Sequence, residues 1–448
     1  MRGSLARTSY LAVLLSGLLL SPAHAVDLEA AYRSAQSYDA ELFAAQAARL
    51  EVEEGVPVAR AGLLPQLSYT FQRNKANTTN YLLSSGLSKN TGDYFNQGNS
   101  LTLRQPIYRK SAWAALESAQ AQSDAADADY RKEEQNLGLR VAATYLDVLL
   151  ARVGLDLANA ETKALDALVT LAEKALKSGT GTRTDVDDAR ARRDMSRARV
   201  SEANFRLSQA SQDFRTVTDI DAKRLPVIDP RSLPSGAMAV AGGTEWLTRI
   251  EASNPELQSL RKQVEAADAD VEKAKGGHYP SVDMVLSRQE GQSETNTTVG
   301  TGYRTEYIGV QLSVPLISGF GVMAQVRQTQ ARTERVRQTL ESTRRKLLAE
   351  AERLYLTVEL GIEKVQAIEQ AILSAEQALI SAQKGVAAGT RTIVDVLDAE
   401  QRVFFAKRDQ AFSVFELASN RLKFLALAGA IDDDAIKYTS AWLAAAKR

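Results

Sequence analysis

The chain has 448 residues, with 55 basic and 55 acidic side chains, two histidines and no cysteine. A net charge of zero argues against a general nucleic-acid binder or a polybasic membrane-surface protein. The lack of cysteine excludes disulfides, thiolate nucleophiles and cysteine-ligated metals.

Residues 1–25 read as a cleavable signal peptide. Arg2 and Arg7 are followed by the apolar "YLAVLLSGLLL" at 10–20, too short to span a bilayer, and by the small-x-small "AHA" at 23–25. The mature chain is expected to begin at Val26, His24 leaves with the leader, and without a cysteine at the cut it cannot be a diacylated lipoprotein.

From there the pattern runs twice. The first structural repeat, 26–222, opens with a helical stretch over 27–62, then strands near 65–73 and 99–107 around a polar loop. A long helix over 110–177 and a moderate one over 185–222 follow. The Pro- and Gly-rich segment 223–243 reads as a linker. The second repeat, 244–430, has the same order: helix 244–276, strands near 280–288 and 304–315, long helix 320–387 and helix 395–430, before a C-terminal helical tail at 431–448. "KSGTGTRTDVDDARA" (177–191) aligns with "VAAGTRTIVDVLDAEQ" (386–401) at an offset of 210, so internal duplication organises the chain.

In the second long helix Ala351, Val358, Val365, Ile372 and Leu379 recur every seven residues, and Leu354, Ile368, Ala375 and Ala382 hold the other seam position, broken at Gly361. Leu348, Tyr355 and Ile362 form a further apolar row, which predicts packing against more than one neighbour. Such a helix reaches on the order of 100 Å, a rod or the wall of something long.

The strands alternate. Leu67, Tyr69 and Phe71 oppose Ser68 and Thr70; Leu101 and Leu103 oppose Thr102 and Arg104; Val282, Met284 and Leu286 oppose Asp283 and Ser287; Ile308, Val310 and Leu312 oppose Gly309 and Gln311. Segments of this length suit either an aqueous sandwich or a tilted membrane crossing. Four strands cannot close a barrel, since about eight is the small end, and lipid tolerates no open edge. If they cross a membrane, several chains share one barrel.

Here the chain resembles the TolC family of outer-membrane efflux and type I secretion channels. The likeness rests on the duplicated order, "LPQL" and "YPSV" opening strands, "QPIY" and "VPLISG" closing them, and above all "GTRTIVDVLDAEQ". It implies a mainly α chain with a β-barrel part: a homotrimer whose twelve-stranded outer-membrane barrel continues into a twelve-helix periplasmic α-barrel. It also implies an inner-membrane pump of the ABC or RND type and a periplasmic adaptor as partners, with no cofactor, no nucleic acid and no chemistry of its own. A periplasmic coiled-coil adaptor without a pore is the alternative.

The repeated phrase has a structural reading first. Gly179 and Gly389 stand where long helices stop, and Thr182 with Asp185, and Thr392 with Asp395, have the spacing of a capping box. Asp398 falls outside that reading. It lies on the same face as Asp395, a turn further in, so a trimer stacks both into carboxylate rings. By resemblance this is the periplasmic mouth, with Asp395 and Asp398 as entrance rings and Arg391 as a latch toward Thr184 and Asp185. The best-known members carry a tyrosine where this chain has Val386, so a hydroxyl bond there is impossible. His278 reads as a local hydrogen-bonding residue, Trp113 as a marker of the lower membrane interface or ordinary packing, and Tyr81 and Tyr94 as outer-loop residues without a role.

Overall fold

Two helices of 68 and 67 residues dominate the chain, because neither carries an interior proline and each buries a long stripe of Ala, Leu and Val. In the computed structural model the described residues are 26–81, 84, 86–240, 245–293, 301–431 and 433–446; the expected signal peptide lies outside them. The elements run α1 Leu28–Gln36, α2 Ala40–Glu53, α3 Gly55–Ala61, β1 Gln66–Tyr81, β2 Ser88–Tyr108, α4 Lys110–Lys177 and α5 Arg183–Thr218. The second repeat gives α6 Glu245–Ser253, α7 Pro255–Lys275, β3 Ser281–Ser293, β4 Thr301–Ser313, α8 Gly321–Ala387 and α9 Ile393–Leu427, and α10 Asp433–Ala444 ends the chain. No helix among the described residues is long and apolar enough to cross a membrane.

The strands form one antiparallel meander in the order β1-β2-β3-β4. Register places Leu67 opposite Leu103, Leu103 opposite Leu286, and Leu286 opposite Ile308, so one face carries a continuous apolar row. Ser68, Thr102, Ser287 and Tyr307 line the other face, with Thr102 and Ser287 hydroxyls 3.2 Å apart. The apolar side chains are uncovered: Leu67 is 67 % and Ile308 72 % exposed.

The strands are longer than their apolar alternation. Residues expected in the polar loop 74–99 continue β1 and β2, pairing Asn74 with Asn96 and Lys75 with Phe95. Lys75 meets Asp93 at 2.6 Å and Arg73 lies 4.5 Å from the Phe95 ring centre. Polar strands need no greasy face where both sides are wet, so alternation ended before pairing did. Tyr81 and Tyr94 therefore stand in strands, not in a loop.

Below the sheet each strand continues into a column of helix. α2 flanks the upper part of α4 and α5 its lower part; on the other side α7 is above and α9 below, and α8 lies beyond both. The columns run α2/α5, α4, α7/α9, α8, leaving α2/α5 and α8 as open edges. The expected single helices at 27–62 and 244–276 are broken. Asp39 caps α2 through Leu42 N at 2.8 Å, Pro57 cannot donate within α3, and Asn254 with Pro255 starts α7.

Gly361 interrupts the seam of α8 because α9 approaches there. A Cβ at that position lies 3.1 Å from Leu417 Cδ1. The second apolar row finds its own partners, with Tyr355 stacked on Trp246 at 5.9 Å and next to Phe424.

Of the expected linker 223–243, residues 223–240 are described, and they are not a free tether. Leu225, Ile228, Leu233 and Met238 enter the largest core, over Leu137, Val141, Tyr145 and Leu149 of α4, and Arg152 donates to Ala222 O and Leu225 O, each at 2.8 Å. Its prolines limit it to short 3-10 turns such as Pro230–Ser232 and Ser235–Met238 without stopping burial, which stabilises by about 1.5–3 kcal/mol per large aliphatic side chain. The tail helix α10 clasps this strap: Trp442 Nε1 donates to Pro234 O at 3.1 Å and Tyr438 to Ala237 O at 2.6 Å.

Candidate functional site at the helix turns

α4 and α5, and α8 and α9, are joined by turns of matching backbone. Gly179 and Gly389 take left-handed φ values of +76° and +71°, which a Cβ disfavours. Thr180 N and Gly181 N both donate to Ala175 O at 3.0 Å; Thr390 N and Arg391 N donate to Gly385 O at 2.9 and 3.2 Å. Each next helix opens with a reciprocal cap. Asp185 N donates to Thr182 Oγ1 at 3.1 Å and Thr182 N to Asp185 Oδ2 at 2.9 Å; the Thr392–Asp395 distances are 3.3 and 2.8 Å. The Thr392 backbone N–H and hydroxyl hold the Asp395 carboxyl below its usual range, with Arg391 adding a smaller pull.

Arg391, between Thr390 and Thr392, has a seat of its own. A Cβ on Gly385 lies 2.9 Å from Arg391 Cγ, so glycine there lets the arginine stem fold back across the end of α8. In the first turn bulk and space are exchanged: Ala175 stands at the place of Gly385, and Gly181 at that of Arg391.

The two hairpins touch near these turns. Leu165, Val169 and Ala172 of α4, Val186 and Ala189 of α5, and Ile393 and Leu397 of α9 make one cluster; Ala382, Val396 and Ala399 make a second. Val386 packs on both, with Leu168. The position of the family tyrosine is thus filled by an apolar contact between hairpins.

Asp398 does not stand free. Arg192 of α5 reaches its Oδ1 at 2.7 Å, and the same guanidinium donates to Gln401 at 3.1 Å. Arg192 and Gln401 carried no signal in the sequence, because helical spacing gives a residue's face but not its depth against another helix. Arg391 makes no hydrogen bond or ion pair with Thr184 or Asp185 among the described residues, and the Asp185 carboxylate is taken by its cap. The structure brings Asp395 and Asp398 onto one side of α9 but separates Arg391 from its expected partners within the chain.

Elsewhere, His278 ends the short turn Gly276–His278, beside Tyr279, whose ring lies 4.2 Å from Lys110 Nζ. Trp113 stands on the first turns of α4 with 58 % of its surface exposed. Among the described residues no group of three or more His, Asp or Glu is placed to hold a metal ion.

The family model for outer membrane efflux protein matches residues 31–218 and 246–423, one segment per repeat. The proteases secretion protein PrtF of Dickeya chrysanthemi is 28 % identical over 95 % of this chain and 92 % of its own length. The outer membrane protein TolC of Vibrio cholerae is 27 % identical over 96 % and 97 %. Among solved structures, the outer membrane protein VceC of Vibrio cholerae superposes with a TM-score of 0.76 at 18 % identity, covering 89 % of this chain and 96 % of that one. The chain belongs to the outer membrane efflux protein family, whose members are passive outer-membrane channels and not enzymes.

Proposed function

We propose that three copies of this chain form the exit duct of a tripartite efflux or type I secretion assembly. The observation that carries this reading is the uncovered apolar row on a sheet whose outer edges, on β1 and β4, are unpaired among the described residues. Lipid covers such a row, and only further copies seal such edges. The helical edges agree: Leu356, Leu360, Leu373 and Ile380 of α8, and Phe205 of α5, are exposed apolar residues on the two edge columns. Three strips of four strands and four columns give a barrel in the outer membrane and a tunnel below it in the periplasm, reached through a cleavable signal peptide.

A passive duct needs an inner-membrane pump, of the ABC or RND type, and a periplasmic adaptor to join them. Likeness to a protease secretion protein supports an exported polypeptide as cargo. The helix turns form the periplasmic mouth, where Asp395 and Asp398 of three copies converge and Arg391 reaches Thr184 and Asp185 of an adjoining hairpin.

Fractionation and detergent-extracted mass test the assembly: a trimer from outer membranes is expected, and a soluble monomer overturns it. In planar bilayers Asp395→Ala with Asp398→Ala should reduce cation selectivity, and unchanged selectivity removes the ring assignment. Arg391→Ser should raise conductance; no change means it is no latch.

A further inference from the structure

Along the sheet, away from the helices, the greasy face changes character. Four residues beyond the row of Leu67, Leu103, Leu286 and Ile308, on the same face, the register aligns Phe71, Asn99, Glu290 and Arg304. Tyr69, Leu101, Arg288 and Glu306 form the row between, and Arg73, Gln97, Gln292 and Gly302 the row after. Charge and amide thus replace apolar surface within about 13 Å along the strands. The opposite face over this span is uncharged, with Thr70, Gln72, Ser100, Gln289, Tyr303 and Thr305. β1 and β2 run to 16 and 21 residues, where a tilted crossing of a bilayer takes about 9–11. The upper rows therefore stand above the hydrocarbon, and their charges face outward at headgroup height, away from any passage.

A pocket of about 340 Å³ opens here, walled by Phe71, Gln97, Asn99, Glu290, Gln292 and Arg304. Gly302 has no side chain to fill it, and the nearest atom to a Cβ there is Gln292 Cγ at 3.7 Å. The polar groups of the pocket are only half used. Gln97 Nε2 donates to Gln292 Oε1 at 2.8 Å, which leaves one amide oxygen and one amide nitrogen uncommitted among the described residues. Glu290 Oε1 accepts from both Arg288, at 2.8 Å, and Arg304, at 2.5 Å, so one carboxylate oxygen serves two guanidiniums. Arg73, beside Gln97, rests 4.5 Å from the Phe95 ring centre without an ion pair among the described residues.

We propose that this pocket binds the phosphorylated sugar headgroup of an outer-leaflet glycolipid, one per copy around the barrel. The site rests on the reading of the sheet as one third of an outer-membrane barrel. Acyl chains against the Leu67 row set the headgroup at the level of the pocket. Sugar hydroxyls both donate and accept, as the two glutamines, Asn99 and the second oxygen of Glu290 require, and the C–H face of the ring packs on Phe71. Arg73 on β1 and Arg304 on β4 stand three strands apart, about 14 Å, and fork onto phosphates on either side of the sugar.

The test is native mass spectrometry of the full-length trimer in detergent. It is titrated with lipopolysaccharide, with the same lipid stripped of phosphate, with phosphatidylglycerol and with inorganic phosphate. One lipopolysaccharide per copy is expected. Stripping the phosphates, or changing Arg73→Gln with Arg304→Gln, should each weaken binding about tenfold, and Gln97→Ala with Gln292→Ala several-fold. The glutamines belong to no ion pair, so their variant reads the site even where the arginine variant fails to assemble. Binding unmoved by these substitutions, or phosphatidylglycerol bound as tightly as lipopolysaccharide, overturns the sugar site. Inorganic phosphate that displaces the lipid at equal concentration overturns the glycolipid as its occupant. In each of these outcomes the trimer and its conductance stand. An unaltered chain that is monomeric in detergent overturns the barrel reading, and the site with it.

Discussion

At the first turn Asp187 stands exposed where the second turn has Leu397, fully buried, and Gly181 stands where the second has Arg391. The backbone is nonetheless the same, with left-handed glycine, two amides on one carbonyl and a threonine–aspartate cap. The shared phrase encodes the turn. The differences encode place: α5 is an edge column, with Val186, Ala189, Ser196, Phe214 and Thr218 as its buried residues, whereas α9 is flanked by α4 and α8 and buries residues along its whole length. Duplication supplied a reliable local device, and divergence fitted one copy to the interior of the strip and the other to its rim.

The largest test of that contrast is truncation at the matched positions. Leu397→Ala should cost about 2–5 kcal/mol of local stability and Asp187→Ala no more than about 0.5 kcal/mol, read by amide hydrogen exchange in each turn. Equal losses would remove the distinction between interior and rim. Next is the exchange of space: Gly385→Ala should displace Arg391 at a cost of about 1–3 kcal/mol and raise conductance as Arg391→Ser does, whereas Ala175→Gly should leave conductance unchanged.

The shared part should respond alike. Thr182→Ala and Thr392→Ala should each loosen their first helical turn by about 1 kcal/mol, and a loss at only one turn would show that the caps are not equivalent. The smallest effect is in acid. Because the folded-state value of Asp395 is depressed, its contribution is present above the ordinary carboxylate value, about pH 4, and is lost as pH falls through the lowered one. The protection factors of amides at 392–395, with the intrinsic pH dependence of exchange divided out, should therefore stay flat from neutral pH to about pH 4 and fall below it, and Asp395→Asn should abolish that step.

Much of the architecture was legible because it is repetitive. The seam of Ala351, Val358, Val365 and Ile372 is buried as its spacing requires, and both capping signatures give caps. Three features were not. The polar half of the first hairpin has no alternation to read, the strap at 223–240 hides its burial among prolines, and Gly361 looked like a defect until Leu417 was seen against it. The site was half legible: the acids announced themselves, their partner did not.

The amino-acid order alone determined the long helices, the apolar parts of the strands, where the long helices turn and which faces are greasy, since these follow from periodicity and cap chemistry within a few residues. Tertiary structure decided the rest: that α9 lies inside the strip, that Val386 bridges two clusters, and that Arg192 rather than Arg391 meets an aspartate across the hairpins. The reason is physical. A helix repeats its faces every few residues, so many axial alignments of two hairpins satisfy the same pattern, and only packing along their length selects the one that sets which charges meet.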